Sequence, residues 1–378
     1  MSVKRCAYVT IYDLKNPATK GVNQKIGGEV SAFTNHGWDV DLYAVNNNTL
    51  VRNGEKIGEL AVGNRLHRLN PFLKRKAILF AFGKHIKKHS YRFVYIRHPK
   101  TTLSFLKFLK TIRSPVIYLE IPTFPYYGQS NSIKDSFVYL IDRLLCFKLK
   151  KYVDRVVTFY QQDKIFDIPT VKFGNGIDVE SISIPSAKYT STSKTIDLVS
   201  VANMKFFHGY DRVIEGIAKN RTDFTIVYHV VGGGPFVKDM KKLVKDYSLE
   251  DVVLFYGHKQ GSDLDDIYSK CDIAIGTLGM YRKQLSLDSS LKSREYCAKG
   301  IPFVNGTTDQ DFPDNLEFMH RVPNNASHVC MNDIVSFYLE VKKIPNLTSV
   351  MRRYAEKQLS WNGKMGKVLE DYYAHNKA

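Results

Sequence analysis

The sequence is poor in cysteine and contains no long apolar run. Its five cysteines, Cys6, Cys146, Cys271, Cys297 and Cys330, are odd in number and share no CxxC spacing. This pattern argues against a disulfide framework or a zinc site and favours reduced core thiols in a cytosolic protein. No stretch approaches the roughly 18 consecutive apolar residues that span a bilayer. The N-terminus, MSVKRCAYVTIYDL, lacks the apolar stretch and small-residue cleavage site of a signal peptide, so we expect a cytoplasmic protein.

Negative charge is scarce in the first half of the chain. The 378 residues carry 55 Lys+Arg and 37 Asp+Glu, a formal net charge of +18. Residues 1–180 hold 29 basic and 14 acidic side chains, net +15, whereas residues 181–378 hold 26 and 23, net +3. Between Glu59 and Glu120 there are fourteen Lys or Arg and no Asp or Glu. The excess therefore belongs to one part of the protein, and we expect it to form a basic face.

Two segments with helical spacing carry much of this basic charge. In PFLKRKAILFAFGKHIKKH the apolar positions are Phe72, Leu79, Phe82 and Ile86, interleaved with Lys74, Arg75, Lys84, Lys87 and Lys88. In TLSFLKFLKTIR the apolar positions are Phe105, Leu109 and Ile112, and the basic positions are Lys107, Lys110 and Arg113. Two interpretations remain open: helices packed on a sheet with solvated basic faces, or helices that also lie against an anionic membrane surface. Nucleic acid is less favoured, because no recognition motif accompanies the basic residues.

Short apolar runs alternate with helical patterns along the whole chain. In the first half, strands are predicted at residues 6–12, 40–45, 93–96, 116–121 and 155–159, with a helix at 24–35. In the second half, strands are predicted at 196–201, 224–231, 252–256, 272–275 and 302–304, and helices at 210–219, 236–247, 264–270 and 292–299. The polar segment 184–195 reads as a linker, and residues 349–373 are helical by pattern. Strands that alternate with helices predict an α/β protein with two doubly wound parallel sheets.

The second half contains four turns suited to ligand binding. A predicted strand ending in VSVAN leads through MKFFHGYD into a helix, and such a turn presents free backbone N–H groups to a phosphate. VGGGP also connects a strand to a helix, and its glycines permit close backbone approach to a ligand, although a plain tight turn is the alternative. LFYGHKQ and then SSLKSREYCAKGIP follow later in the chain.

This order of motifs resembles retaining nucleotide-sugar glycosyltransferases of family 4, of the polysaccharide-assembly type. FGNGID, VANMKFFHGYDRVIEGIA, VGGGP, LFYGHKQGSDLDDIYSKCDIAI and REYCAKGIPFV match the family's motifs in order, and GVNQKIGGEVSAFTNHGWDVDLY, YIRHP and LEIPTFPY match its first half. The resemblance implies the GT-B architecture, two Rossmann-like domains that face a central cleft. We expect an acceptor-binding domain at residues 1–178 and a donor-binding domain at 179–350. A C-terminal helix at 351–378 is expected to pack back on the first domain.

The resemblance also implies roles for residues at the matching positions. Glu295 would bind the nucleotide ribose hydroxyls, as a carboxylate can accept two hydrogen bonds from a diol. Ser290, Leu291 and Lys292 would hold the donor diphosphate at a helix N-terminus. Further expected binding residues are Gly234 in the nucleotide pocket, His258 and Lys259 near the base, and Gly21 near the donor phosphate or sugar.

Several positions depart from the family pattern. The basic residues around the diphosphate are replaced by Asn203 and His208, and either Lys205 or Arg212 could supply the charge, or His208 could act by hydrogen bonding. Leu287 stands eight positions before Glu295, where the family has an acid, and Asp288 is one place off.

Two residues of the first half are candidates for catalysis. Glu120 could orient or deprotonate an acceptor hydroxyl, or form an ordinary ion pair. His98 is a second candidate, with a structural role as its alternative. Asp263 and Asp265 are spaced like a metal-binding DxD but read as helix-capping residues.

The expected function is transfer of a hexose-type sugar, with retention, from a UDP-linked donor to a lipid-linked glycan. The enzyme would be peripheral at the inner face of the plasma membrane, and no cofactor or metal is expected. A soluble or protein acceptor is the alternative among enzymes, and a non-enzymatic polyanion-binding protein is the alternative from another class.

Overall fold

The computed structural model describes residues 4–16, 20–60, 71–112, 115–122, 124, 133–185, 194–219 and 222–375. Arg113 and most of the predicted linker, residues 186–193, lie outside this set. The chain forms two compact units: unit 1 comprises Met1–Phe173 and Trp361–Ala378, and unit 2 comprises Gly174–Ser360. The sequence placed the boundaries after residues 178 and 350.

Unit 1 is built on a mixed sheet, called sheet 1, whose central strands are parallel. Its nine strands are β1 Arg5–Asp13, β2 Asp39–Asn46, β3 Thr49–Arg52, β4 Glu55–Glu59, β5 Phe93–Arg97, β6 Val116–Glu120, β7 Arg155–Thr158, β8 Lys164–Ile165 and β9 Ile168–Lys172. They are ordered β4-β3-β2-β1-β5-β6-β7-β9-β8 among the described residues. β2, β1, β5, β6, β7 and β9 run parallel. The short strand β3 pairs antiparallel with both β2 and β4, and β8 pairs antiparallel with β9. Burial on both faces explains why the parallel strands read as continuous apolar runs.

Helices cover both faces of this sheet. They are α1 Lys20–Asn35, α2 Pro71–Ile86, α3 Leu103–Thr111, α4 Ile133–Leu145 and the C-terminal α11 Trp361–His375. α1 and α11 pack on one face, around Phe33, Trp38 and Met365. α2 and α3 pack on the other, around Phe82 and Phe105.

The described residues of unit 2 form one six-stranded sheet whose neighbouring strands all pair in parallel. Its strands are β10 Thr195–Val201, β11 Thr225–Val231, β12 Val253–Gly257, β13 Ile273–Ile275, β14 Phe303–Asn305 and β15 Met319–Arg321, ordered β12-β11-β10-β13-β14-β15. Its helices are α5 Asp211–Lys219, α6 Val237–Asp246, α7 Ser262–Tyr268, α8 Leu291–Lys299, α9 Met331–Val341 and α10 Leu347–Tyr354. Relative to the chain, this is the doubly wound order 3-2-1-4-5-6.

All ten predicted strands form, as do the seven predicted helices that precede the C-terminal region, including the two basic segments, which form α2 and α3. The predicted C-terminal helix is divided: α10 continues into a π-helical turn at Ala355–Leu359, and Ser360 adopts an extended conformation before α11 begins. None of the helices in the described part of the chain combines the length and apolar character that crossing a bilayer requires.

Candidate functional site

In unit 2, the loops that follow the parallel strands meet at one edge of the sheet. The strand order reverses between β10 and β13, and doubly wound sheets bind ligands at this switch point. The backbone N–H of Leu278, after β13, donates to the carbonyl of His208, after β10, at 2.8 Å. Gly209 and Gly279 pack backbone against backbone. The predicted phosphate loop therefore lies at the crevice where this fold binds ligands.

The triple glycine connects the loops after β10, β11 and β12. The N–H of Met204 donates to the carbonyl of Gly233 at 2.6 Å, and the N–H of Gly232 donates to the carbonyl of Gly257 at 2.7 Å. Gly232 has φ +121°, and a Cβ there would collide with the carbonyl of Ala202. Loop packing thus requires glycine at positions 232 and 234, and it also brings predicted binding residues to one edge. These are Asn203, Gly234 and His258, all of them exposed.

His208 lies at the end of a single 3-10 turn, Phe206–His208, and is buried. Its Nδ1 accepts a hydrogen bond from the backbone N–H of Lys205 at 3.3 Å, and its ring lies 5.3 Å from that of Tyr210. Since Nδ1 is an acceptor, the neutral imidazole carries its proton on Nε2. His208 can therefore donate one hydrogen bond while remaining uncharged.

Lysines surround this imidazole. Lys292 Nζ donates to the Tyr210 hydroxyl at 3.0 Å, and Lys283 Nζ lies 3.8 Å from the centre of the Phe207 ring. Burial, together with the charges of Lys292, Lys205 and Lys283, lowers the pKa of His208 to about 3. A histidine held neutral by several cations marks a region of positive potential. Lys283 was not predicted, because it lies outside the recognised motifs.

The N-terminus of α8 adds backbone donors to this region. Ser290 is the N-cap residue, yet its side chain accepts no capping hydrogen bond. Leu291, the first helical residue, is exposed. The first amides of a helix have no intrahelical acceptor, and the helix dipole favours an anion there. Lys292 stands in the same turn, so backbone and side-chain donors lie together.

Glu295 lies one turn beyond Lys292 on α8. The side chain is exposed and, among the described residues, it forms no hydrogen bond or salt bridge. Desolvation by the surrounding protein nevertheless raises its pKa, opposed by Lys299 and Lys292. The carboxylate of Glu295 is therefore accessible to a ligand although the surrounding protein partly desolvates it. Lys299 is paired with Asp265 at 2.7 Å, so it does not occupy the carboxylate of Glu295.

A buried ion cluster fixes the other side of α8. The Arg294 guanidinium binds both oxygens of Asp309, at 2.8 and 3.0 Å, and also contacts Asp311. Its Nε donates to the carbonyl of Asn175 at 2.6 Å, so the FGNGID segment is joined to α8. A Cβ at Gly174 would collide with Asp311 and Arg294. The sequence did not reveal this cluster, since Asp309 and Asp311 lie 15 and 17 residues after Arg294, outside any recognised motif, and Asn175 lies 119 residues before it.

The structure also shows how Leu287 and Asp288, which precede Glu295, are held. Leu287 pairs with Thr308 in a β-bridge, and the next N–H, that of Asp288, donates to the Thr308 carbonyl at 3.0 Å. Asp288 Oδ1 accepts from the N–H of Ser289 at 2.8 Å, and burial raises the pKa of its carboxyl group. Asp288 therefore places a partly buried carboxyl group two residues before the N-cap of α8.

Contacts within unit 2 bear on the choice between Lys205 and Arg212 as the additional cation. Arg212 is buried, and it donates to the carbonyls of Ser327, Leu278 and Pro323. Lys205 is exposed. The structure thus favours Lys205 as the additional cation. Lys259 forms an ion pair with Asp263 at 3.2 Å across one turn, on the surface after β12.

In unit 1, Glu120 ends β6 and is fully buried. Its carboxylate contacts the ammonium group of Lys25, and Arg97 Nη1 donates to it at 2.8 Å. Burial alone would raise the pKa of Glu120, but these two cations hold it below its usual value. The contacts favour the ion-pair interpretation of Glu120, because a carboxylate held between two cations is a weak base.

A second buried carboxyl group, Glu29, belongs to the same cluster and was not predicted. The Tyr8 hydroxyl donates to it at 2.5 Å, and Lys25 Nζ lies 3.5 Å away. Burial, reinforced by the charge of Glu120, raises the pKa of Glu29 to about 7. The Lys-Ile-Gly-Gly-Glu segment of α1 gave no sign of this, because the partners come from other elements.

His98 follows β5, and its side chain is almost fully buried. Nε2 lies 3.1 Å from Thr101 Oγ1 and 3.7 Å from Asp142 Oδ1. Burial lowers the pKa of His98 to about 4. These contacts favour the structural interpretation over catalysis.

Gly21 lies in the first turn of α1 and is exposed. A Cβ at this position would meet nothing within 4 Å among the described atoms. Gly21 follows β1, and His98 follows β5. These two strands are neighbours in sheet 1, and the strand order reverses between them. Both residues therefore lie on the ligand-binding edge expected for this unit.

Residues 184–279, about a quarter of the chain, match the family model described as Glycosyl transferases group 1. No curated protein sequence matches the chain. The chain is similar to the sucrose-phosphate synthase of Thermosynechococcus elongatus, with 14% identity, a TM-score of 0.61, and 98% of this chain and 100% of that chain covered. It is also similar to the lipopolysaccharide outer core galactosyltransferase WaaB, with 12% identity, a TM-score of 0.61, and coverage of 97% and 99%.

HepE from Anabaena, solved with UDP and glucose, is similar at 12% identity and a TM-score of 0.57, with 97% and 100% covered. These likenesses over nearly whole chains establish the GT-B fold that the motif order predicted. The group 1 match identifies the chain as a glycosyltransferase.

Proposed function

We propose that the chain is a retaining family 4 hexosyltransferase that moves a sugar from a UDP-linked donor to a lipid-linked glycan. The transfer would be a step in the synthesis of a capsular polysaccharide, an exopolysaccharide or another cell-surface polysaccharide. The convergence of Lys205, Lys283 and Lys292 on the neutral His208, at the sheet's switch point, carries the donor part of this proposal. A compact positive region beside a helix N-terminus suits a diphosphate.

Each donor group has a residue suited to it in unit 2. The diphosphate would accept hydrogen bonds from the first amides of α8, Lys292 Nζ and His208 Nε2–H. The ribose diol would donate to Glu295, whose carboxylate has no partner among the described residues. The loop containing Gly234 and the turn with His258 would border the nucleoside.

The transfer needs no covalent enzyme intermediate. The bond from the anomeric carbon to the diphosphate oxygen breaks, and the acceptor oxygen forms a bond on the same face. The acceptor proton passes to the leaving diphosphate oxygen. The residues of unit 2 would then act by positioning the donor and by stabilising the charge that develops on the diphosphate.

Similar proteins support the donor and acceptor classes. HepE was solved with UDP and with UDP-glucose, and WaaB and WaaG are named for roles in lipopolysaccharide. The net charge of +15 on residues 1–180 favours an anionic lipid-linked acceptor and a peripheral position at the inner face of the plasma membrane. Because the chain is also similar to a sucrose-phosphate synthase, transfer to a soluble acceptor is the second candidate function.

Donor hydrolysis tests the donor assignment. The purified protein is offered UDP-, GDP- and ADP-linked hexoses, and release of nucleotide is measured for the wild type, Lys292→Ala and Glu295→Ala. We expect UDP-sugars to be preferred and each variant to lose about tenfold or more in kcat/KM, since a charge-assisted hydrogen bond contributes about 1.5–3 kcal/mol. Lys238→Ala, an exposed lysine on α6, is the control. If both site variants keep wild-type rates, the site assignment is wrong.

A further inference from the structure

Helices α2, α3 and α4 form one layer on the same face of sheet 1. Leu79 of α2 and Phe105 of α3 belong to one core cluster, against which Tyr139 of α4 packs. The crossovers β5–α3–β6 and β6–α4–β7 join adjacent parallel strands, so right-handed connections place both helices on this face. The outer surface of this layer, which we call the helical face, points away from the sheet.

A groove lies between α2 and α3 on the helical face. Its volume is about 770 Å³, within the usual range of small-molecule sites. Leu79, Gly83 and Phe108 are among its apolar lining. A Cβ at Gly83 would lie 3.2 Å from the Phe108 ring, so the helices approach closely there. The apolar lining of the groove therefore suits an apolar chain.

The rim of the groove is basic. It is lined by Lys76, Lys84, Lys87, Lys88 and Lys107. All five are exposed, and none of their ammonium groups forms a salt bridge or a hydrogen bond with another described residue. Because no acidic residue occurs between Glu59 and Glu120, the occupant that complements this rim is an anion.

Large apolar side chains are exposed on the same layer. Phe80 of α2 is 73% exposed, Leu103 of α3 is 64% exposed and Leu144 of α4 is 62% exposed. Leu140 and Phe147 are also exposed and lie four residues before and three residues after Leu144, at helical spacing. Apolar residues beside unpaired lysines are the composition of a surface that enters the headgroup region of a bilayer.

We propose that the α2–α3 groove binds one anionic membrane phospholipid, with an acyl chain along Leu79 and Phe108 and the phosphate held by the rim lysines. The helical face then lies against the bilayer, with Phe80, Leu103 and Leu144 among the acyl chains. This deepens the proposed function, since it gives the membrane-bound enzyme a specific lipid, but it does not involve the donor site.

Binding of a soluble lipid tests the groove. Dioctanoyl phosphatidylglycerol is titrated below its micelle concentration into the full chain by calorimetry, with dioctanoyl phosphatidylcholine as the neutral comparison. We expect one phosphatidylglycerol per chain, and loss of binding in Thr111→Trp, which fills the end of the groove. Thr34→Trp is the control, because Thr34 is also an exposed helical threonine whose hydroxyl donates to the carbonyl four residues earlier. Equal binding by Thr111→Trp and wild type would overturn the proposal.

Vesicle flotation tests the rim. Lys84→Gln/Lys87→Gln/Lys88→Gln is compared with Lys238→Gln/Lys242→Gln/Lys245→Gln on α6, which removes the same charge from unit 2. We expect about a hundredfold weaker partitioning to phosphatidylglycerol-containing vesicles for the first variant only, since each lysine near an anionic surface contributes about fivefold. An equal effect of both variants would show diffuse attraction and contradict a specific site.

Two further results would distinguish phospholipid binding in the groove from binding of the acceptor's lipid and from the proposed function. Farnesyl phosphate that binds the groove while phosphatidylglycerol does not would assign it to the acceptor's lipid and overturn the proposal. UDP-sugar hydrolysis is measured on every variant, and Thr111→Trp should retain it. A protein that binds phosphatidylglycerol but hydrolyses no nucleotide sugar would contradict the proposed function and leave the groove supported.

Discussion

At the scale of single residues, His208 links the fold to donor chemistry. Burial and three lysines keep the ring neutral, and the bond from Lys205 N–H fixes the proton on Nε2. A neutral donor among cations is suited to a ligand that brings its own negative charge. From the sequence, His208 stood where the family has a basic residue, and hydrogen bonding by its ring was one of the alternatives left open.

The pKa of His208 should respond to the ligand. In the free protein, the ring should show no titration between about pH 5 and pH 8, because its pKa lies near 3. Addition of UDP should raise that pKa, since the diphosphate offsets the repulsion from the lysines. NMR spectroscopy of the histidine rings, with His208→Gln for assignment, measures the change. A pKa of His208 that stays the same with saturating UDP would contradict a diphosphate at this position.

Glu29 makes the stability of unit 1 depend on pH. Its pKa is raised from about 4.5 to about 7 in the folded state, so the folded protein binds more protons than the unfolded chain in this window. Its contribution is therefore complete below pH 4.5 and is lost as the pH rises through 7. We expect Glu29→Gln to flatten the fall of the thermal midpoint between pH 5 and pH 7.5. Glu55→Gln, at an exposed position, should follow the wild type; identical profiles for Glu29→Gln and wild type would refute the assignment.

At the scale of elements, the strand–helix alternation was readable from the sequence because apolar runs and helical spacing are local. The hairpin of β3 and β4 was missed, although Asn53-Gly54 between them is a strong turn signal and both residues have positive φ. The Arg294 cluster and the Lys25–Glu120 pair were not predictable. Lys25 and Glu120 are remote in sequence, and Arg294 meets Asp309 and Asp311 from a later segment, so these contacts arise only in the tertiary fold.

The conformation of the loop that contains Gly232 and Gly233 can be tested by alanine substitution. Gly232→Ala should destabilise the protein by about 2 kcal/mol or more, because its positive φ is unfavourable for alanine and the new Cβ would meet the Ala202 carbonyl. Gly233→Ala should change stability by less than about 0.5 kcal/mol, since nothing lies within 4 Å of the added atom. Thermal unfolding of both variants makes the comparison, and equal midpoints would show that the loop does not have the conformation described.

At the scale of the whole molecule, charge and chemistry are divided between the two units. Unit 2 places a few lysines around one imidazole, whereas unit 1 carries most of the excess positive charge on its helices. The motif order allowed the fold to be predicted from the sequence. The helical face was only half predictable, because α2 and α3 showed their basic pattern while the exposed stripe of α4 was not recognised.

A chain that neutralises the diphosphate with its own side chains should not depend on a divalent cation. We therefore expect hydrolysis of a UDP-sugar to be retained in excess EDTA, with less than a twofold change in kcat/KM. Restoration of lost activity by Mg²⁺ or Mn²⁺ would contradict this expectation and indicate a metal-assisted leaving group.

The most direct test of the donor site is the affinity of the protein for UDP, measured by calorimetry for the wild type, Lys292→Ala and Lys238→Ala. Uridine serves as the ligand without phosphates. We predict that Lys292→Ala binds UDP at least tenfold more weakly than the wild type, as expected for loss of one charge-assisted contact. Lys238→Ala should match the wild type, and the three proteins should bind uridine alike. Equal affinity of Lys292→Ala and wild type for UDP would contradict the placement of the diphosphate at His208 and the N-terminus of α8.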